Sequence, residues 1–200
     1  MKFFIFDTQE EGGACVARRI CQLVSEKPDA MLCLAAGHSS LPVFSALVAA
    51  SKEGETDFSK ARFVGMDEWL GVPPENEGSC ANFLRRSLFG PLGVSEDQIC
   101  LFDAMTSEPE RECERMSSFV RQAGGLDFVL LGVGMNGHLA LNEPHAGLNM
   151  AARRVKLDAE KNKTRGEEAI ISTPDSKVTV WVIPTNEELM IAQDTAALTR

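Results

Sequence analysis

The chain has 200 residues, is 44% hydrophobic and 24% charged, and carries a formal net charge of −9, which suits one globular domain with a full core or at most two small ones. No run of about 18 apolar residues occurs, so no membrane span is expected, and the start MKFFIFDTQEEGG has too short an apolar stretch for a signal peptide, which points to the cytoplasm. The acidic balance, without a basic stripe, speaks against nucleic acid as a partner, and the cysteines at 15, 21, 33, 80, 100 and 113 form no CxxC and no zinc spacing, so they read as buried free thiols and no metal site is expected.

Strand and helix patterns alternate along the chain. FFIF at 3–6 reads as a first strand, followed by a helix over 9–27 with Val16, Ile20, Leu23 and Val24 at helical spacing. MLCLAA at 31–36 is a short apolar run ending at a glycine, which suits a buried strand. Residues 40–52 place Leu41, Phe44 and Val48 on one helical face. RFVGM at 62–66 is a third strand, and SCANFLRRSL at 79–88 a helix opened by a serine. QICLF at 98–102 is strand-like. An amphipathic helix follows over 108–123 with Cys113, Met116 and Val120 inward. LDFVLLGVG at 126–134 is the most apolar strand and is expected to be buried. VTVWVI at 178–183 is a late strand, with a helix from about 185. Repeated strand–helix units predict a doubly wound α/β fold: a mostly parallel, Rossmann-like sheet with helices on both faces. Ligands of such folds bind at the carboxyl ends of strands, so function is expected in the loops after residues 36, 66 and 134. No linker, repeat or low-complexity segment divides the chain, which reads as a single domain over 1–200.

Three loops could carry chemistry. Gly37, His38, Ser39 and Ser40 join a strand to a helix, where backbone amides and serine hydroxyls favour an anion. The alternative is that Ser39 or Ser40 only caps the helix. Met66-Asp67-Glu68-Trp69 sets two acids at a strand end. One carboxylate there could act as a general base, or both could be surface acids or a helix cap, and Trp69 reads as a packing wall. The third loop, Gly132-Val133-Gly134-Met135-Asn136-Gly137-His138-Leu139-Ala140-Leu141-Asn142-Glu143-Pro144, has three glycines in six residues. They suit positive φ or a close approach of backbone to ligand. His138 with Glu143 five residues on is a histidine with a carboxylate to orient it. Arg153, Arg154 and Lys156 read as a solvated basic face.

Together, and in this order, LAAGHSSLP, FVGMDEWLGVP and GVGMNGHLALNEP resemble the glucosamine-6-phosphate deaminase family and its galactosamine-6-phosphate branch, continuously from about 30 to 160 and again, more weakly, at VTVWVIPTNEEL. The resemblance implies an enzyme without metal or organic cofactor. Its substrate would be an amino-sugar phosphate, converted to a ketose phosphate and ammonia. Asp67 would move a proton between C2 and C1, His138 would help open the sugar ring, and Glu143 would hold His138. Ser39 and the amides near Gly37 would bind the 6-phosphate. Asn136 stands where glucosamine enzymes commonly carry Asp and matches the galactosamine branch. The stretch KTRGEEAIISTPDSK, from about 162 to 177, is short beside the family pattern, which places further strand–helix units there. The alternatives are a 6-phosphogluconolactonase, whose Gly-His block usually ends otherwise than Leu141-Asn142-Glu143-Pro144, and a sugar-phosphate sensor without catalysis. No membrane partner is expected, and homo-oligomer formation is left open.

Overall fold

The computed structural model describes residues 4–133, 139–142, 151–155, 169–170 and 181–182. They form two units by contact, 1–132 with 149–154, and 133–148 with 155–200. In chain order the first contains α1 (Gln9–Glu26), β1 (Met31–Leu34), a 3-10 turn (His38–Ser40), α2 (Leu41–Lys52), β2 (Arg62–Gly65), α3 (Cys80–Leu84), a π turn (Arg85–Phe89), α4 (Gly90–Leu92), β3 (Ile99–Cys100), α5 (Pro109–Gln122) and β4 (Phe128–Leu130). Its sheet has the order β3-β2-β1-β4 with every pair parallel.

Alternation along β1 explains the layering. Successive side chains of a strand point to opposite faces. Leu32 and Leu34 join Ile20 and Val24 of α1, Val43, Phe44 and Leu47 of α2, and Leu84 and Leu88 in one core. Met31 and Cys33 face the other way, into a smaller core with Val64, Cys100 and Met116 of α5. Each large apolar side chain removed from water contributes about 1.5–3 kcal/mol, and both faces of the sheet are covered this way. The expected doubly wound α/β fold is present. Of the six cysteines, Cys33 and Cys100 are buried, the other four are partly buried, and all are free.

Three expectations need correction. Residues 4–6 form no strand: Phe4, Ile5 and Phe6 are 70%, 96% and 40% exposed. None of the four strands of the sheet takes them as a partner. The run 126–134 is not a long buried strand either. Among its described residues Phe128–Leu130 pair with β1 and Val133 makes an isolated bridge to Leu139, while Val129 and Leu131 are 43% and 41% exposed. Trp69, expected to wall the core, is 43% exposed.

In the second unit, β5 (Ala169–Ile170) and β6 (Trp181–Val182) pair antiparallel. Leu139 and Asn142 exchange backbone hydrogen bonds at 3.1 and 2.8 Å around Ala140 (φ 50°) and Leu141 (φ 59°). Positive φ at both central residues is the tight hairpin turn that normally selects Asn-Gly, so a non-glycine pair here is strained. The Asn142 amide holds it by donating to the carbonyls of Leu139 and Ala140 at 2.8 and 3.1 Å. Among the described residues no helix is long and apolar enough to cross a membrane.

Candidate active site at the carboxyl edge of the sheet

Strand order decides where a ligand can sit. From β1 the chain steps to β2 and then β3 on one side, and β4 returns to the other side of β1. The order therefore reverses between β1 and β4, and the carboxyl ends of strands at such a switch point are where ligands of open α/β sheets bind. Register aligns these ends: Leu34 pairs with Gly65 of β2 and Leu130 of β4. The alignment extends one residue further through Met66 N donating to Leu34 O (3.1 Å) and Ala35 N donating to Leu130 O (3.0 Å). The loops that begin at Ala35, Met66 and Leu131 thus start side by side.

The loop after β1 is shaped by Gly37, whose φ of 149° with ψ of 158° belongs to a region open essentially to glycine. Ser40 N donates to Gly37 O at 3.1 Å and begins the turn into α2. Ser40 is buried and donates its hydroxyl to Ala35 O at 3.0 Å, so its side chain braces the loop. His38 and Ser39 are exposed. The His38 ring stands edge-on to Phe83, 6.1 Å between centroids. Ser39 looks across the switch point: a Cβ placed on Gly132, two residues past β4, would lie 3.5 Å from Ser39 Oγ. Glycine at 132 keeps the space beside that hydroxyl open.

The loop after β2 separates its two acids. Glu68 takes two hydrogen bonds on each carboxylate oxygen: Oε1 accepts from the N–H groups of Trp69 and Cys80, both at 2.9 Å, and Oε2 from Ser79 Oγ and Ala81 N, both at 2.8 Å. It caps α3, which was one of the two sequence alternatives for this pair. Asp67 is partly buried beside two thiols. Burial first, then the charge of Asp67, pushes Cys33 up to about 12. Burial first, then the charges of Asp67 and Glu68 and hydrogen bonds to both, holds Cys80 well above the ordinary thiol range. Both thiols stay protonated at neutral pH, which removes them as nucleophiles and leaves Asp67 as the loop's candidate proton carrier.

Asp67 and the Gly37–Ser40 loop thus occupy the ends of neighbouring strands. Asn136, His138 and Glu143 lie outside the described residues. Arg153 and Arg154 are exposed. A surface cavity of about 490 Å³ opens beside Thr56, Asp57, Ser95 and Gln98, at the amino ends of β2 and β3. There the Gln98 amide is engaged by Phe58 O and Ala61 O, both at 2.7 Å. It is remote from the strand-end loops and offers none of their chemistry.

The family profile described as glucosamine-6-phosphate isomerases/6-phosphogluconolactonase matches residues 7–172. The chain belongs to this family. Within it, the chain is similar to a glucosamine-6-phosphate deaminase of Streptomyces avermitilis, 35% identical over 84% of this chain and 64% of that protein. It is also similar to one of Bacillus pumilus, 29% identical over 91% of this chain and 76% of that protein. Among solved structures, a monomeric glucosamine-6-phosphate deaminase superposes with a TM-score of 0.71 at 25% identity, covering 86% of this chain and 66% of that one. The chain therefore spans just under two thirds of the length of the first of these relatives. The sequence carries the family's three loops, but not the closing of Ser79, Cys80 and Ala81 on the Glu68 carboxylate. A serine, eleven residues beyond Glu68 and opening a helix, was the only trace of that contact.

Proposed function

We propose that this chain carries the catalytic loops of a hexosamine-6-phosphate deaminase, which turns an amino-sugar phosphate into a ketohexose phosphate and ammonia. The observation that carries the reading is the placement of Asp67 and the Gly37–Ser40 loop at the carboxyl ends of adjacent parallel strands, beside the β1/β4 switch point. The names of the relatives support the same reaction.

The chemistry asks for little else. His138, oriented by Glu143, exchanges a proton between the anomeric hydroxyl and the ring oxygen, which opens the ring. Asp67 takes the C2 proton, and the electron pair forms a C1–C2 double bond as the C1=O π pair moves onto O1, which takes a proton from the neighbouring C2 ammonium. The amine pair then drives the same carboxyl's proton onto C1 as the C1–C2 double bond gives way to C2=N. C2 is then an iminium carbon; water adds to it and ammonia leaves. The sequence is redox-neutral and uses only proton carriers. The 6-phosphate is held by the amides at the start of α2 and the Ser39 hydroxyl. Asn136 favours galactosamine 6-phosphate over glucosamine 6-phosphate in this reading, and the whole chain acts as one domain.

Ammonia release with each of the two amino-sugar phosphates tests the proposal. Release with either supports the deaminase, and faster release with the galactosamine compound supports the branch. Hydrolysis of 6-phosphogluconolactone without ammonia release from either sugar would overturn it.

A further inference from the structure

We propose that Glu68 is a positioning residue for the reaction: its carboxylate, saturated by four protein donors, ties the turn carrying Asp67 to the first residues of α3. The proposal rests on the reading of Asp67 as the proton carrier.

Asp67 follows β2 by one residue beyond Met66, on a turn that no regular element stiffens from 67 to 79. A base that must reach C2 and then C1 needs its carboxylate held within a fraction of an ångström, and a misplacement of about 1 Å costs roughly 10²-fold. Glu68 supplies the anchor. Its Oε2 bridges Ser79 Oγ and Ala81 N at 2.8 Å each, and its Oε1 takes the Cys80 N–H at 2.9 Å. Ser79 is buried and also accepts from Asn82 N at 3.2 Å, so one carboxylate and one hydroxyl together satisfy the opening amides of α3. The fourth bond, from Trp69 N, closes the turn on itself. All the ordinary acceptor positions of the carboxylate are occupied, so Glu68 is no competing base. Leu84 of α3 and Phe63 of β2 are fully buried in the same core. The anchor therefore ties Asp67 to a rigid part of the molecule on both sides.

Glutamine at 68 keeps the shape but turns one acceptor oxygen into a donor, which then faces a hydroxyl or amide donor. For Glu68→Gln the expected result is a 10- to 100-fold lower kcat for ammonia release. KM should stay within about three-fold, because the phosphate is held on the β1 loop and uniform binding is untouched. Amide hydrogen exchange at Cys80 and Ala81 should accelerate. Glu68→Asp, which keeps the charge but is one methylene short, should recover part of kcat. Ser79→Ala removes a single donor and serves if Glu68→Gln does not fold; a kcat reduced several-fold at constant KM is expected. Faster exchange at 80–81 with wild-type kcat would overturn the proposal, as would a loss confined to KM. Asp67→Asn, measured alongside, separates the two ideas. If it retains turnover, the base assignment fails. A wild-type chain without turnover counts against the proposed function, and exchange at 80–81 in Glu68→Gln still judges the anchor.

Discussion

Gly13 of α1 lies so close to Pro42 of α2 that a Cβ added to it would stand 2.5 Å from the proline Cβ and 2.7 Å from its carbonyl carbon. No methyl group fits there without moving backbone, so the two helices must separate to admit one. α2 begins directly after the Gly37–Ser40 loop, and the contact therefore sets that loop's position as well as the packing of the core. Gly13→Ala is expected to destabilise the protein by about 1–3 kcal/mol, the range for overpacking, despite alanine's better helix propensity. Thermal unfolding should show a drop of roughly 2–4 °C for each kcal/mol. An unchanged midpoint would mean that the helices can part at no cost.

Gly37 is constrained in a different way. A Cβ there meets nothing within 4 Å among the described residues, yet φ of 149° disfavours any L side chain. Gly37→Ala should cost about 1–3 kcal/mol of local strain, relieved by rotating the amides that follow. If those amides hold the sugar phosphate, KM should rise more than kcat falls. Steady-state kinetics with the preferred amino sugar measures both. A fall in kcat alone would place the phosphate elsewhere.

Asp67→Asn keeps the size of the side chain and removes its basicity. A loss of roughly 10²-fold or more in kcat is expected for a general base, while equilibrium binding of the substrate survives. Turnover close to wild type would remove Asp67 from the mechanism.

Asp127 supplies a pH signature. The Lys27 ammonium, 2.8 Å away, and then the Met31 N–H, also at 2.8 Å, hold its carboxyl below the ordinary value. A carboxylate with a depressed folded-state pKa stabilises the fold above its unfolded value of about 3.9, and that contribution is lost as pH falls through the lower, folded value. Lys27 is substantially exposed, with 43% of its side chain accessible, so solvent screening limits the effect to on the order of 1 kcal/mol. Urea titrations of wild type and Asp127→Asn should differ by a constant amount from pH 6 to 8 and converge below about pH 4. A gap that widens in acid would reverse the assignment.

Much of this molecule is legible in one dimension. Helical spacing in 9–27, 40–52 and 108–123 and the apolar runs at 31–36 and 62–66 are local patterns, and each produced the expected element within a few residues. The sequence by itself also determined the family: three loops of distinctive composition, in order, each following a strand, carry the resemblance without any coordinates. What it did not determine is pairing and closeness. FFIF has the composition of a strand, but a strand also needs a partner, and none of the four strands of the sheet pairs with it. LDFVLLGVG looked like a buried strand, yet Val129 and Leu131 within it are substantially exposed. Gly13 looks like a weak point in a helix until Pro42 is set against it. Glu68 and Asp67 are neighbours of equal charge, and only the arrival of Ser79, Cys80 and Ala81 at the start of the next helix sets one apart, by filling the Glu68 carboxylate with donors. Propensity and periodicity are properties of a short window, whereas strand order, helix approach and carboxylate partners depend on residues brought together only by the folded chain.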